Sequence, residues 1–268
     1  MRETLGTEPA VAFASLIGVS EPDLDEGLPL LWHWLYMTAW PDQADLGPDG
    51  HPVRGGIPTP PGPGRRRMWA GGEVRSLRPL MPGREAVKRS RVLSSQDKDG
   101  RSGRLTFARI QHTVEQAGEL CVDEVQLIVY RDAATGPEQH HRRPDSPESP
   151  RGDAEWDVPI DPTVLFRFSA LTKNAHRIHY DADYARDVEG YSGLVVHGPL
   201  QAMVQAEAAR GAGARGPVGI EYRLVTPLHG HEGLCAVVTS SGERSWETSI
   251  RSASGRVTST GTVRGLQR

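Results

Sequence analysis

The stretch Phe168 to Asp181, FSALTKNAHRIHYD, holds the side chains best suited to moving protons. His179 carries an imidazole, which titrates near neutral pH, so it suits general acid–base work. Asn174, upstream of it, has an amide that donates and accepts hydrogen bonds and so orients water, but it takes up no proton at neutral pH. Downstream, His197-Gly198-Pro199 has helix-start chemistry, and backbone N–H groups at a helix N-terminus hold a developing negative oxygen. Gly198 is the candidate donor because it places no side chain in the way. His197 either belongs to the substrate site or orients the Gly198 loop. His176 and His179 would share a helical turn and so suggest a metal pair, but spacing sets no third ligand and no metal is expected.

These residues need elements to hold them. Pro199 to Arg210, PLQAMVQAEAAR, reads as a helix with Pro at its first position and Gly211 as its stop. Leu200, Met203, Val204 and Ala208 share one apolar face. Strand-like spacing covers Glu73 to Leu77, Ala86 to Leu93, Arg104 to Val114 and Leu120 to Tyr130, then Gly219 to Val225, Gly233 to Thr239, Trp246 to Ile250 and Arg256 to Val263. Turn-like clusters such as Asp97-Lys98-Asp99-Gly100 and Ser252-Ala253-Ser254-Gly255 separate them. The two groups overlay when Arg75 is matched with Arg223, Pro79 with Pro227 and Leu80 with Leu228, which implies a duplicated strand-rich module. Leu30 to Ala39 is either the first module's helix or an apolar lid.

The 268 residues allow one large or two small domains at roughly 100–200 residues each. A net charge of −3 gives no positive field for nucleic acid. The run Leu28 to Trp40 is too short to span a bilayer, and no secretory signal is expected at the N-terminus. Cys121 and Cys235 do not make a disulfide framework, which favours a reducing, cytoplasmic setting. The 30 Gly and 21 Pro cluster around 41–64 and 131–162, which mark loops or linkers.

The pattern Phe168-Ser169-x-Leu171-Thr172 running to Ile178-His179, followed by Val195-Val196-His197-Gly198, resembles the hydratase signature of the MaoC-like hot-dog enzymes. Ser169 to Asp181 is more narrowly similar to the mesaconyl-CoA hydratase branch, which includes the type 2 hydroxyacyl-thioester dehydratases. Leu31 to Tyr36, Gly47-Pro48-Asp49-Gly50-His51-Pro52, Arg67 to Gly72 and Ile128 to Arg131 support the same branch.

The resemblance implies an α+β double hot dog, with two antiparallel sheets each wrapped around a central helix and paired edge to edge. It divides the chain into a degenerate N-terminal hot dog with a lid at 1–131, a linker at 132–155 and a catalytic hot dog at 156–268. It implies reversible hydration of a 2-enoyl thioester, forming the R-3-hydroxyacyl isomer, with the acyl group on coenzyme A or acyl carrier protein and no cofactor. His179 would serve as acid/base and Asn174 would position water. Many relatives carry aspartate where Asn174 stands, so His176 or Asp181 is a further proton source to consider.

Lys173 either reaches an acidic substrate group or narrows the acyl tunnel, or else faces solvent. Arg177 either grips a substrate carboxylate or pairs with Asp181 or Asp183. Arg65, Arg66 and Arg67 either bind coenzyme A phosphates or the carrier's pantetheine arm, or form a surface cluster. The alternatives to a hydro-lyase are a hot-dog thioesterase and a non-catalytic acyl-binding subunit. A duplicated fold of this kind is expected to be a monomer or a homodimer.

Overall fold

A computed structural model describes residues 1–55, 65–100, 103–132 and 152–267. Among the described residues, ten strands form one antiparallel sheet. The first five are β1 (Arg2–Thr4), β2 (Arg65–Ser76), β3 (Glu85–Gly100), β4 (Gly103–Gln116) and β5 (Glu119–Asp132). The second five are β6 (Ala154–Val158), β7 (Val218–Leu224), β8 (Leu234–Gly242), β9 (Ser245–Arg251) and β10 (Val257–Gly265). Their order is β1-β3-β4-β5-β2-β7-β10-β9-β8-β6, so each half keeps its own strands together and the halves meet at β2 and β7. This is the double hot dog, its two sheets fused edge to edge. Residues 133–151 of the expected linker and 56–64 of the Gly/Pro-rich segment lie outside the described residues.

The repeat in the sequence is written into the join. The alignment that matches Arg75 with Arg223 also matches Glu73 with Glu221, and these two face each other across β2 and β7. On either side, Gly71 faces Arg223 and Arg75 faces Gly219, so equivalent residues exchange partners about a local two-fold axis. Gly71 has φ +152°, and a Cβ there would lie 2.4 Å from the Tyr222 carbonyl oxygen, so only glycine lets the strands approach. The predicted turn at Asp97 to Gly100 is instead the continuation of β3, paired with Gly103 to Thr106 in β4. The Asp97 carboxylate accepts hydrogen bonds from Thr106 and Arg104, which holds this charged hairpin tip in register.

Three helices pack on the sheet or on one another: α1 (Glu8–Ile17), α2 (Pro162–Thr172) and α3 (Gly198–Gly211). The periodicity places α3 correctly, but its burial extends beyond one face. Gln201, Gln205 and Glu207 are buried with Leu200, Met203 and Val204, because the C-terminal strands curl around it. The glutamines pair with polar strand residues, Gln201 with Thr258 and Gln205 with Thr248 and Ser259, as buried amides require. Helix α2 starts where the Asp161 carboxylate accepts the Val164 N–H at 2.8 Å, with Pro162 behind the cap. It stops at Lys173, which is left-handed at φ 54°. Leu30 to Ala39 contains only the short 3₁₀ turn Trp32–Leu35 and packs as a buried plug rather than a long helix.

That plug brings Trp34 against Trp69 of β2 and Tyr222 of β7, and the Trp69 indole donates to the Tyr222 hydroxyl at 2.7 Å. Below it, buried Glu124 accepts the Trp34 indole N–H at 3.0 Å and lies 3.1 Å from the His33 imidazole. Burial alone would raise this carboxyl, but the hydrogen bond and charge of His33, with the charges of His112 and Lys88, push it down to about 2. A depressed carboxylate stabilises the fold above its ordinary titration near 4.5 and loses that contribution as pH falls toward about 2. Glu124→Gln is therefore expected to cost about 3 kcal/mol at pH 7. In thermal melts from pH 7 to 2 it should also flatten the acid-side fall of Tm.

Candidate active site

A cavity of about 930 Å³ opens between the halves. Trp34, Arg67, Met68 and Trp69 line it from the N-terminal half, and Phe168, Asn174, His176, His179 and Gly198 from the C-terminal half. Helix α2 supplies Phe168 and Ser169, and the left-handed residue Lys173 turns the chain sharply into the histidine loop. Asn174 tightens that loop, its side-chain oxygen accepting the His176 N–H at 3.0 Å.

His179 is held from two sides. Its Nδ1 lies 2.7 Å from the Val195 carbonyl oxygen, which can only accept, so the proton sits on Nδ1 and Nε2 is left basic. Its ring stacks on that of His197, with centroids 3.6 Å apart. Burial pushes His179 down to about 4, with the Val195 carbonyl opposing and the charge of His51 adding to the fall. His197 is held well below its ordinary range by burial and by the like charges of His179 and His176. It is fully buried (0% exposed), bonds Ser169 at 2.9 Å and does not line the cavity, so its ring stands behind that of His179.

His176 is lowered mainly by burial and by the neighbouring histidines and arginines. It lies between His179, 5.5 Å away by ring centroid, and His51, at 4.0 Å. His51 belongs to a loop of the N-terminal half that docks onto the histidine loop. The Arg177 N–H donates to the Asp49 carbonyl at 2.9 Å, and the Arg177 guanidinium donates to the Pro48 carbonyl at 3.1 Å. Gly50 is pressed so closely that a Cβ would lie 1.8 Å from the Ala175 carbonyl oxygen.

Gly198 lines the cavity as the first residue of α3, where its N–H has no intrahelical acceptor, so the anion-holding geometry is available. Lys173 lies on the exposed rim, 5.9 Å above the Trp40 ring. Arg177 turns away, paired with Asp181 at 2.8 Å and stacked on Tyr184, so neither Arg177 nor Asp181 reaches the cavity.

The arginine trio divides: Arg66 and Arg67 both line the cavity, and Arg65 does not. Arg65 is tied to Thr106 and the Tyr130 carbonyl, and Arg66 is clamped to Glu189 at 3.0 Å. Arg67 faces the cavity, and among the described residues no carboxylate or carbonyl partners it. Sequence reasoning used Asp49, Gly50, His51 and Ser169 as marks of the family likeness and gave them no place in the site. The glycine between an acid and a histidine was the available signal, but nothing local connects it with residues so distant in the chain.

Nitrogen-detected NMR of the histidine side chains is expected to show His179 neutral with the proton on Nδ1 from pH 8 down to pH 5. Its midpoint should fall near 4. A midpoint near 6.5 would contradict this placement.

Residues 31–230 match the family model described as hydroxyacyl-thioester dehydratase type 2. The mesaconyl-C(4)-CoA hydratase of Chloroflexus aurantiacus is 44% identical over 77% of this chain and 73% of its own. The mitochondrial hydroxyacyl-thioester dehydratase type 2 of Schizosaccharomyces pombe is 24% identical over 79% and 77% of the two chains. Among solved structures, HtdX of Mycobacterium tuberculosis superposes with a TM-score of 0.68 at 16% identity, covering 99% of this chain and 98% of that one. A MaoC-like dehydratase of Phytophthora capsici gives 0.68 at 19% identity, covering 100% and 95%.

Proposed function

The chain belongs to the hydroxyacyl-thioester dehydratase type 2 family and is a hydro-lyase of that kind, and from that premise we propose that His179 moves the α-carbon proton of an acyl-CoA substrate bearing a second carboxylate. The reaction joins water to a 2-enoyl thioester, or removes it from the 3-hydroxyacyl thioester. The carrying observation is the neutral His179 imidazole, its Nδ1–H spent on Val195 and its basic Nε2 left for the cavity that it lines.

In the dehydration direction Nε2 takes the α-proton and the electron pair moves onto the thioester oxygen. The Gly198 N–H at the start of α3 holds that oxygen, where the helix dipole favours negative charge. Stacking on His197, itself fixed by Ser169, keeps the ring from swinging out of line. Asn174 spends its side-chain oxygen on the loop, which leaves its NH₂ group to donate toward water or hydroxyl.

The finer reading concerns the acyl group. The relative at 44% identity is a mesaconyl-C(4)-CoA hydratase, and a mesaconyl group carries a free carboxylate on its β-carbon. Arg67 supplies a cation on the cavity wall, disfavoured by burial and lacking a protein carboxylate among the described residues. A substrate carboxylate would satisfy it.

Enoyl absorbance with mesaconyl-CoA and crotonyl-CoA tests both statements. His179→Ala is expected to lower kcat about 10²–10⁴-fold on either substrate, and an unchanged rate would refute its role. Arg67→Gln is expected to raise KM for mesaconyl-CoA by roughly 10–100-fold while leaving crotonyl-CoA nearly unaffected. Equal losses on both would refute carboxylate recognition.

A further inference from the structure

The proposed chemistry needs a second proton-transfer group at the β-carbon, and Asn174 cannot be that group. Four imidazoles touch one another beside the cavity, and what each ring nitrogen meets distinguishes them; His112, which also lines the cavity, has both ring nitrogens engaged, by Ser90 and Gln126. His179 donates Nδ1–H to a carbonyl, and His197 is sealed beneath it against Ser169. His176 has no carboxylate partner among the described residues and stands between two other imidazoles. His51 alone among the four has a carboxylate on Nδ1: Asp49 Oδ2 lies 3.2 Å away, and Asp49 also accepts the His51 backbone N–H at 3.0 Å. A carboxylate so placed fixes the tautomer with Nε2 outward and compensates the charge when the ring is protonated. Both residues line the cavity, as does Arg67; burial and the charge of Arg67 lower His51, and the hydrogen bond and charge of Asp49 oppose them.

We propose that His51, oriented by Asp49, is the second acid/base of this site, lent by the N-terminal half in place of the carboxylate missing at Asn174. The inference rests on the hydro-lyase reading above. In dehydration, the β-carbon–oxygen bond breaks as the protonated His51 Nε2 gives its proton to the departing hydroxyl, which leaves as water. The electron pair taken from the α-carbon–hydrogen bond, whose proton goes to His179, becomes the new double bond. The proton gained by His179 and that lost by His51 are exchanged with solvent between turnovers. In hydration the same Nε2 takes the proton of the attacking water.

A leaving group that needs no proton separates this role from a structural one. 3-Hydroxybutyryl-CoA and 3-chlorobutyryl-CoA are followed by the appearance of the enoyl product. His51→Gln is expected to lose dehydration about 100-fold or more while eliminating chloride within about 3-fold of wild type. His179→Ala should lose both reactions. Asp49→Asn, which keeps the loop's shape, should lose dehydration less severely. Its alkaline limb should move to lower pH, because the imidazolium opposite Arg67 and His176 loses the negative charge that Asp49 gave it.

Unchanged dehydration in His51→Gln would overturn the proposal, as would equal loss of both eliminations in that variant. Loss of wild-type activity to a chelator would also overturn it, in favour of a metal held by Asp49, His51 and His176. If His51→Gln fails to fold, an Asp49→Asn enzyme with wild-type rate and pH profile would overturn it equally. Wild-type protein inactive on every thioester tried would instead remove the parent reading.

Discussion

Everything at the site depends on the antiparallel join between β2 and β7, because the cavity exists only where the two halves are held at a fixed offset. The join is demanding. A two-fold axis through a strand pair makes the residue on the axis face its own equivalent, and here the pair is Glu73 and Glu221. Like charges directly opposite disfavour pairing, so the attraction must come from elsewhere. Both glutamates are exposed, while Val74, Ile220 and Tyr222 beside them are buried. The Trp69–Tyr222 hydrogen bond, capped by Trp34, ties the strands together on the cavity side.

The symmetry of the sheet is not carried into its contents. Helix α3 fills the C-terminal sheet's curve, and Gln201 and Gln205 are answered by strand hydroxyls. The N-terminal sheet instead faces the 3₁₀ plug and the buried Glu124 cluster. A chain of ring contacts connects this plug to the reacting histidine: Trp32 meets Phe13, Phe13 meets Phe168, Phe168 meets His197, and His197 stacks on His179. The N-terminal segment, which has no direct chemistry of its own, thereby helps to set where His179 stands. His176, His179 and His197 are held neutral for a common reason. Burial removes the water that would solvate a charge, and each ring discourages charge on the next.

Much of the fold was legible because it is local or repetitive. Alternating apolar residues gave away β4, β5, β8 and β9, and Pro199 with Gly211 bracketed α3. What escaped has physical reasons. Asp97 to Gly100 reads as a turn by composition, yet cross-strand hydrogen bonds from Arg104 and Thr106 keep it extended. Helix α2 has a good cap but a short, mixed face, so periodicity passed over it. His179 and Asn174 stood out because family likeness marks them. The placements of Arg65, Arg66 and Arg67 did not, since three adjacent letters conceal that only the last two reach the cavity and that Glu189 engages the middle one. Asp49 and His51 were invisible as site residues because their partners lie in the other half of the chain.

The contact of Gly50 with the Ala175 carbonyl has a consequence for the two halves of the chain. A two-fold pair of identical single hot dogs builds each site from a complete set of parts and can exchange partners freely. Here the histidine loop is seated on a loop that the C-terminal half does not possess. Two C-terminal halves brought together through β7 would have no residues 47–52 to support either histidine loop. The two halves are therefore not interchangeable: a complete site takes one of each, whereas two copies of either half would lack one side of the contact.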